Sequence, residues 1–89
     1  MEGTIILGHE ISHKIGEGGL AEVFLARIRP GYSAILKILK PMYSKEESLR
    51  QRFRQEASLM SKVSHYVIER AFDLTEHQGR PAFFSRYLA

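Results

Sequence analysis

Three sets of residues in this chain have types and spacings that could do chemistry: Gly16, Gly18 and Gly19 in "KIGEGGLAEVFLA", Lys37 in "SAILKILK", and Glu56 in "RFRQEASLMSKVSH". Ordered glycine loses conformational entropy, so a cluster this dense calls for φ > 0 or for close approach of the backbone to something else. Lys37 stands between Ile35-Leu36 and Ile38-Leu39, and its stem is surrounded by aliphatic carbon whichever way the segment faces. Glu56 falls three residues after Phe53 and four before Met60, which puts a carboxylate on the apolar face of a helix. Either charge alone in a dry interior is expensive, whereas together they offset part of that penalty. A strand lysine facing a helix glutamate is therefore the expected arrangement. The competing expectation keeps both at the periphery, with Lys37 extending its ammonium to water and Glu56 at the edge of the apolar stripe.

The elements that must position these groups follow from periodicity. Ile11, His13 and Ile15 alternate with Ser12 and Lys14, the period of a half-buried strand. After the glycines, "EVFLARI" fits both a helical stripe through Val23, Phe24 and Ile28 and a strand rich in β-formers. Pro30-Gly31 predicts a turn, with proline pre-set for the first central position and glycine for a left-handed second one. "SAILKILK" then has the length and character of a central strand, closed by Pro41. Ser44 three residues before Glu47 is a reciprocal capping pair. Leu49, Phe53, Ala57, Met60 and Val63 continue from it as the apolar stripe of an amphipathic helix, with Lys62 complementing the macrodipole near its end. "YVIERAFDLTE" and "RPAFFSRYL" flank "HQGR", where Gly79 suggests a hairpin. The expected fold is α+β, a five-stranded antiparallel sheet with one crossing helix, in a single domain over residues 1–89.

Size and composition bound the rest. A chain of 89 residues buries about 60–70% of its unfolded surface, enough for one small core and not two. With 44% hydrophobic and 26% charged residues it is no disordered chain. The absence of cysteine removes disulfides and thiolate zinc sites and points to a reducing cytoplasm. The N-terminus lacks the pattern of a signal peptide, and no apolar run has membrane-spanning length, so no membrane partner is expected. The net charge is +3 and the densest basic stretch is Arg50, Arg52 and Arg54, which fan around a helix axis and read as a solvated face rather than a nucleic-acid surface. His9, His13, His65 and His77 have no metal-ligand spacing and read as surface or turn residues, so no metal site is expected.

Taken in order, these segments resemble the small lobe of protein kinases, in particular bacterial Ser/Thr kinases. "IGEGGLAEVFLA" is similar to the family's glycine-rich loop, with Gly16, Gly18 and Val23 in register. "AILKILKP" resembles the third strand with its nucleotide-contacting lysine, "RFRQEASLMSKVSH" the C helix with its ion-pairing glutamate, and "GRPAFFSRYL" the fifth strand entering the hinge. The resemblance implies ATP as ligand, Mg-dependent in a complete kinase. It gives Lys37 and Glu56 the catalytic positions, with Lys37 on the α/β-phosphates and Glu56 orienting Lys37. It implies that Gly16, Gly18, Gly19 and Ala21 bring backbone N–H groups to phosphate oxygens. Ile15, Val23 and Ile35 would lie against the adenine, Ser85 at the gatekeeper position with an open back pocket behind it, and the backbone of Arg86 and Leu88 at the polar edge of the base.

Departures from the family pattern are Ala21 for the third glycine, the bulky Ile35 near the adenine, Tyr66-Val67 for the usual Pro-Asn, and Glu69 at an apolar position. The chain ends at "SRYLA", where the hinge would begin, so the family's catalytic base, metal ligands and activation segment are not in it. The expectation is the ATP-binding lobe of a longer Ser/Thr kinase, inactive in phosphoryl transfer by itself and binding nucleotide weakly. The alternative is a stand-alone non-catalytic module that binds a protein, or a second copy of itself, through the face a C-lobe would cover. A dinucleotide-binding βαβ unit competes structurally, because Gly16-x-Gly18-x-x-Ala21 fits its fingerprint. It lacks the acidic residue expected about twenty positions on, where Lys37 and Lys40 stand.

Overall fold

A computed structural model describes residues 1–62 and 71–86. Its elements are β1 (Ile5–Ile6), β2 (His9–Glu17), β3 (Ala21–Arg29), β4 (Tyr32–Leu39), a 3-10 turn (Pro41–Tyr43), α1 (Glu47–Lys62), β5 (Ala71–His77) and β6 (Arg80–Arg86). Among the described residues the strands form one antiparallel sheet of order β1-β2-β3-β4-β6-β5. Antiparallel pairing throughout leaves no place for a βαβ unit.

The sheet has six strands rather than the expected five. The added one, β1, is two residues long, too short to show a period. It exists because Leu7-Gly8, with φ of 51° and 82°, turns the chain back onto the start of β2. A second hairpin of this kind joins β5 to β6 through Gln78 and Gly79, both in the left-handed region. Gly31 takes φ 82° in the two-residue loop between β3 and β4, as Pro30-Gly31 predicts.

The ambiguous stretch after the glycines is strand. β3 lies between β2 and β4 and hydrogen-bonds to both, whereas a helix there would leave two strand edges without partners. Alternation then buries both faces of the sheet. Phe24, Ala26, Ala34, Leu36, Ile38 and Phe84 point into one core with Ile6 and Ile11. On the opposite face Leu39 and Phe83 meet Phe53 and Ala57 of α1, the Phe53 and Phe83 ring centroids 5.1 Å apart.

The helix starts later than its sequence predicts, at Glu47, with Leu49 and Arg50 N–H donating to Glu46 O. Ser44 forms no capping box. Its hydroxyl donates to Pro41 O in the preceding 3-10 turn, and the Glu47 carboxylate instead faces Arg50 and Arg54. Phe53 and Ala57 of the stripe are buried; the side chain of Met60 and residues Val63, Tyr66-Val67 and Glu69 lie outside what the structure describes.

Two surface assignments are corrected. Arg50 is largely buried, donating to Ser44 O, Gly79 O and Glu76 Oε2, and so ties α1 to the tip of the β5–β6 hairpin. His9 is half-buried, its ring edge-on to Phe84 at 5.0 Å. In both cases the contact comes from a residue distant in sequence, which local spacing cannot register.

Candidate functional site

The register of the sheet assembles the site row by row, because directly paired residues share a face. Gly16 pairs with Val23, Val23 with Lys37, and Lys37 with Phe83. One step along, Leu25 pairs with Ile35 and Ile35 with Ser85. Lys37 therefore emerges on the face that carries α1, opposite the core formed by Leu36 and Ile38, and is half-buried. Its Nζ stands 6.0 Å from the centroid of Phe83, the outer limit of a cation–π contact.

Above Lys37 the β2–β3 hairpin closes over Gly18-Gly19-Leu20. Gly18 N–H donates to Ala21 O, and Lys40 N–H donates to Leu20 O, both at 2.8 Å, so the tip is tied to the end of β4. The amides of Gly19 and Leu20 have no partner among the described residues. None of Gly16, Gly18 and Gly19 has a left-handed φ, and a Cβ built on any of them would meet nothing within 4 Å. The two reasons internal to the fold for choosing glycine are therefore absent at this tip.

Beneath the tip is an open cavity of about 670 Å³. It is lined by Ile15, Gly16, Gly18, Gly19, Ala21, Val23, Lys37 and Glu56 of the residues expected from sequence. The sheet, the hairpin and the helix thus bring eight of the candidate positions to one opening. Ile35 and Ser85 share the Lys37 face but do not line it, and Ser85 is fully buried. Arg86 pairs through its backbone with Ala34 on β4. Leu88 lies outside the described residues.

The expected buried ion pair is not formed. Glu56 is exposed rather than held in an oily stripe, and among the described residues no ion pair joins it to Lys37. The reason is geometric: α1 anchors through Phe53 and Ala57, and Glu56, the neighbour of Ala57, falls at the cavity rim, where water can solvate it.

Glu17, Leu20, Arg52 and Phe53 also line the cavity and were not expected there from sequence, which reads Arg52 as part of a solvated face and Phe53 as core stripe. Two of them carried a signal. Glu17 sits inside the glycine stretch, and Arg52 is four residues before Glu56, hence on the same side of the helix. Glu17 accepts from Lys14 Nζ and lies 2.9 Å from Lys40 Nζ. The hydrogen bond from Lys14, then that from Lys40, lowers its pKa to about 2. Across the hairpin, burial pushes Glu22 up, but its bonds to Lys14 and Arg80 outweigh this and hold it below the usual carboxylate value. Arg80 also donates from Nε to Leu39 O. Lys14, Glu17, Glu22, Lys40 and Arg80 thus form one alternating network that braces the base of the hairpin against β4 and β6.

The sequence model for protein tyrosine and serine/threonine kinases matches residues 9–89. A probable serine/threonine-protein kinase of Corynebacterium efficiens is 38% identical over 69 residues, covering 76% of this chain and 10% of that protein. The chain spans between 10% and 17% of the length of such curated relatives. Among solved structures, PpkA-294 in its apo form superposes with a TM-score of 0.82 at 21% identity, over 98% of this chain and 38% of the other. The PknI kinase domain of Mycobacterium tuberculosis gives 0.73 at 24% identity, over 99% and 36%.

Proposed function

This chain belongs to the protein tyrosine and serine/threonine kinase family and has the fold of its small lobe, and we propose that it is the ATP-binding lobe of a bacterial Ser/Thr kinase. The observation that carries this reading is the hairpin tip. Three glycines without a steric or left-handed-φ reason of their own overhang a cavity whose floor holds a lysine, with two amide N–H groups that have no partner among the described residues. Such a tip lets backbone donors approach phosphate oxygens closely, and glycine is the residue that leaves room for them.

In this reading Lys37 Nζ binds phosphate oxygens from below, and the amides of the tip bind from above. Ile15 and Val23 cover one side of the adenine. Glu56 at the rim is the acid that draws Lys37 into position when α1 moves inward. Cytoplasmic location follows from that role. Magnesium supplies charge neutralisation of the phosphates when bound. Among the described residues no three His, Cys, Asp or Glu side chains gather as a metal site, so no step of the reading passes through the metal.

MgATP titrated into the 15N-labelled chain should shift the amides of residues 16–23 and Lys37, and only at high nucleotide concentration, because one side of the adenine stays open to water. Lys37→Met should abolish the shifts. Unchanged signals there, with changes elsewhere, would overturn the assignment. The side left open is where a C-lobe, or another protein, docks.

A further inference from the structure

We infer that Arg52 is a second cationic contact for the polyphosphate of the nucleotide in this cavity, an inference that rests on the nucleotide reading above. Two cations line the opening, Lys37 from the sheet and Arg52 from α1. Neither has an ion-pair partner among the described residues.

The neighbours of Arg52 behave differently. Arg50 and Arg54, two positions to either side on the same helix, approach Glu47 at 3.6 and 3.5 Å. Lys14 and Lys40, at the base of the hairpin, are both held at 2.9 Å by Glu17. Glu17 is thus matched by two ammonium groups and adds little repulsion toward an anion in the cavity. Glu56 is the remaining carboxylate of the lining, one helical turn from Arg52 and bonded to neither cation. Two free cations therefore face one free carboxylate, beneath a tip that offers the Gly19 and Leu20 amides. Lys37 alone can be matched by Glu56, and the charge left over is the guanidinium of Arg52.

A guanidinium presents a planar fork of donors that fits two oxygens of a phosphate at once. The recognised chemistry is a chain of phosphates rather than the base, since Arg52 approaches from the helix, while Ile15 and Val23 supply the apolar wall. The charge should count most for the nucleotide with the most phosphates.

The test is a chemical-shift titration of the 89-residue chain at fixed low ionic strength, with MgATP and with AMP, for the unaltered protein, Arg52→Gln and Arg52→Lys. Arg52→Gln should weaken MgATP about three- to tenfold, the range for one largely exposed charge-assisted contact, and leave AMP unchanged. Arg52→Lys should recover part of the loss. Equal affinity of the unaltered chain and Arg52→Gln for MgATP would overturn the inference and leave the nucleotide reading standing. So would an equal loss for MgATP and AMP, which would mark Arg52 as structural. Absence of any MgATP-induced shift at residues 16–23 in the unaltered chain would remove both.

Discussion

Glu17 gives the site its clearest acid dependence. Its carboxylate sits at the last position of β2, at the mouth of the cavity, and is held to about pKa 2 first by Lys14 and then by Lys40. A folded-state pKa below the ordinary value of 4.5 means stability that is fully present above that value and is lost as pH falls toward 2. Lys14 works with the opposite sign. Its pKa is raised above 10.5, chiefly by Glu17 and Glu22, so its contribution is complete below 10.5 and fades as pH rises through the higher folded value. Both groups are exposed, and salt screens their attraction. Glu17→Gln should therefore flatten the fall of melting temperature between about pH 4.5 and 2 at low salt, and should shift the amides of Gly18 to Ala21, because the tie of Glu17 to Lys14 and Lys40 is lost. Parallel melting curves for the two proteins across that interval would count against this role of Glu17. The expectation that Lys37 and Glu56 neutralise one another failed at this same scale. Their residue types and spacings were legible, but the distance between them depends on where Phe53 and Ala57 seat the helix, and no local pattern encodes that.

At the level of elements the glycines divide into two kinds with opposite consequences. Gly79 holds φ 77° in a two-residue hairpin that Arg50 grips through its carbonyl, so a side chain there is strained whatever the space around it. Gly79→Ala should lose about 1–2 kcal/mol of stability, the penalty of a left-handed L-residue. Gly18 has neither constraint, and Gly18→Ala should be neutral or stabilising by about 0.4–1 kcal/mol, because it restricts the unfolded chain. It should also weaken MgATP by crowding the approach to the tip. Urea denaturation of the two variants checks the contrast, and a destabilised Gly18→Ala would show that the fold itself needs this glycine. The same division explains what sequence could reveal of the elements. The β4 strand around Lys37, the α1 stripe and the turns at Gly31 and Gly79 rest on local chemistry and were readable. β3 remained undecided because only its pairing with β2 and β4 excludes a helix. β1 is too short to carry a period, and the Ser44–Glu47 cap lost to a 3-10 turn and to Arg50, whose other partners lie across the fold.

At the scale of the whole molecule, the described chain carries a core on each face of its sheet. Its radius of gyration of 12.4 Å is close to the roughly 12 Å expected for a compact domain of this length. Its cavity nevertheless opens to solvent beside Ile15, which is 45% exposed although it sits next to the glycine stretch. A tight small-molecule site encloses about 70–90% of its ligand, so a nucleotide with one open side is held mainly by its phosphates. Phosphoryl transfer asks for more than holding: the acceptor hydroxyl must be oriented, its proton received, and the charge that builds on the moving phosphoryl group stabilised. In the proposed reading Lys37, Arg52 and the tip amides all act on the nucleotide, and Glu56 acts through Lys37. The purified 89-residue chain should accordingly transfer no label from γ-labelled MgATP to itself or to an added protein, even at nucleotide concentrations that shift the amides of residues 16–23. Label incorporation by the unaltered chain that is lost in Lys37→Met would show that one lobe suffices. It would also require a proton acceptor within reach of the cavity, where, among the described residues, Glu56 lines the opening without an ion-pair partner.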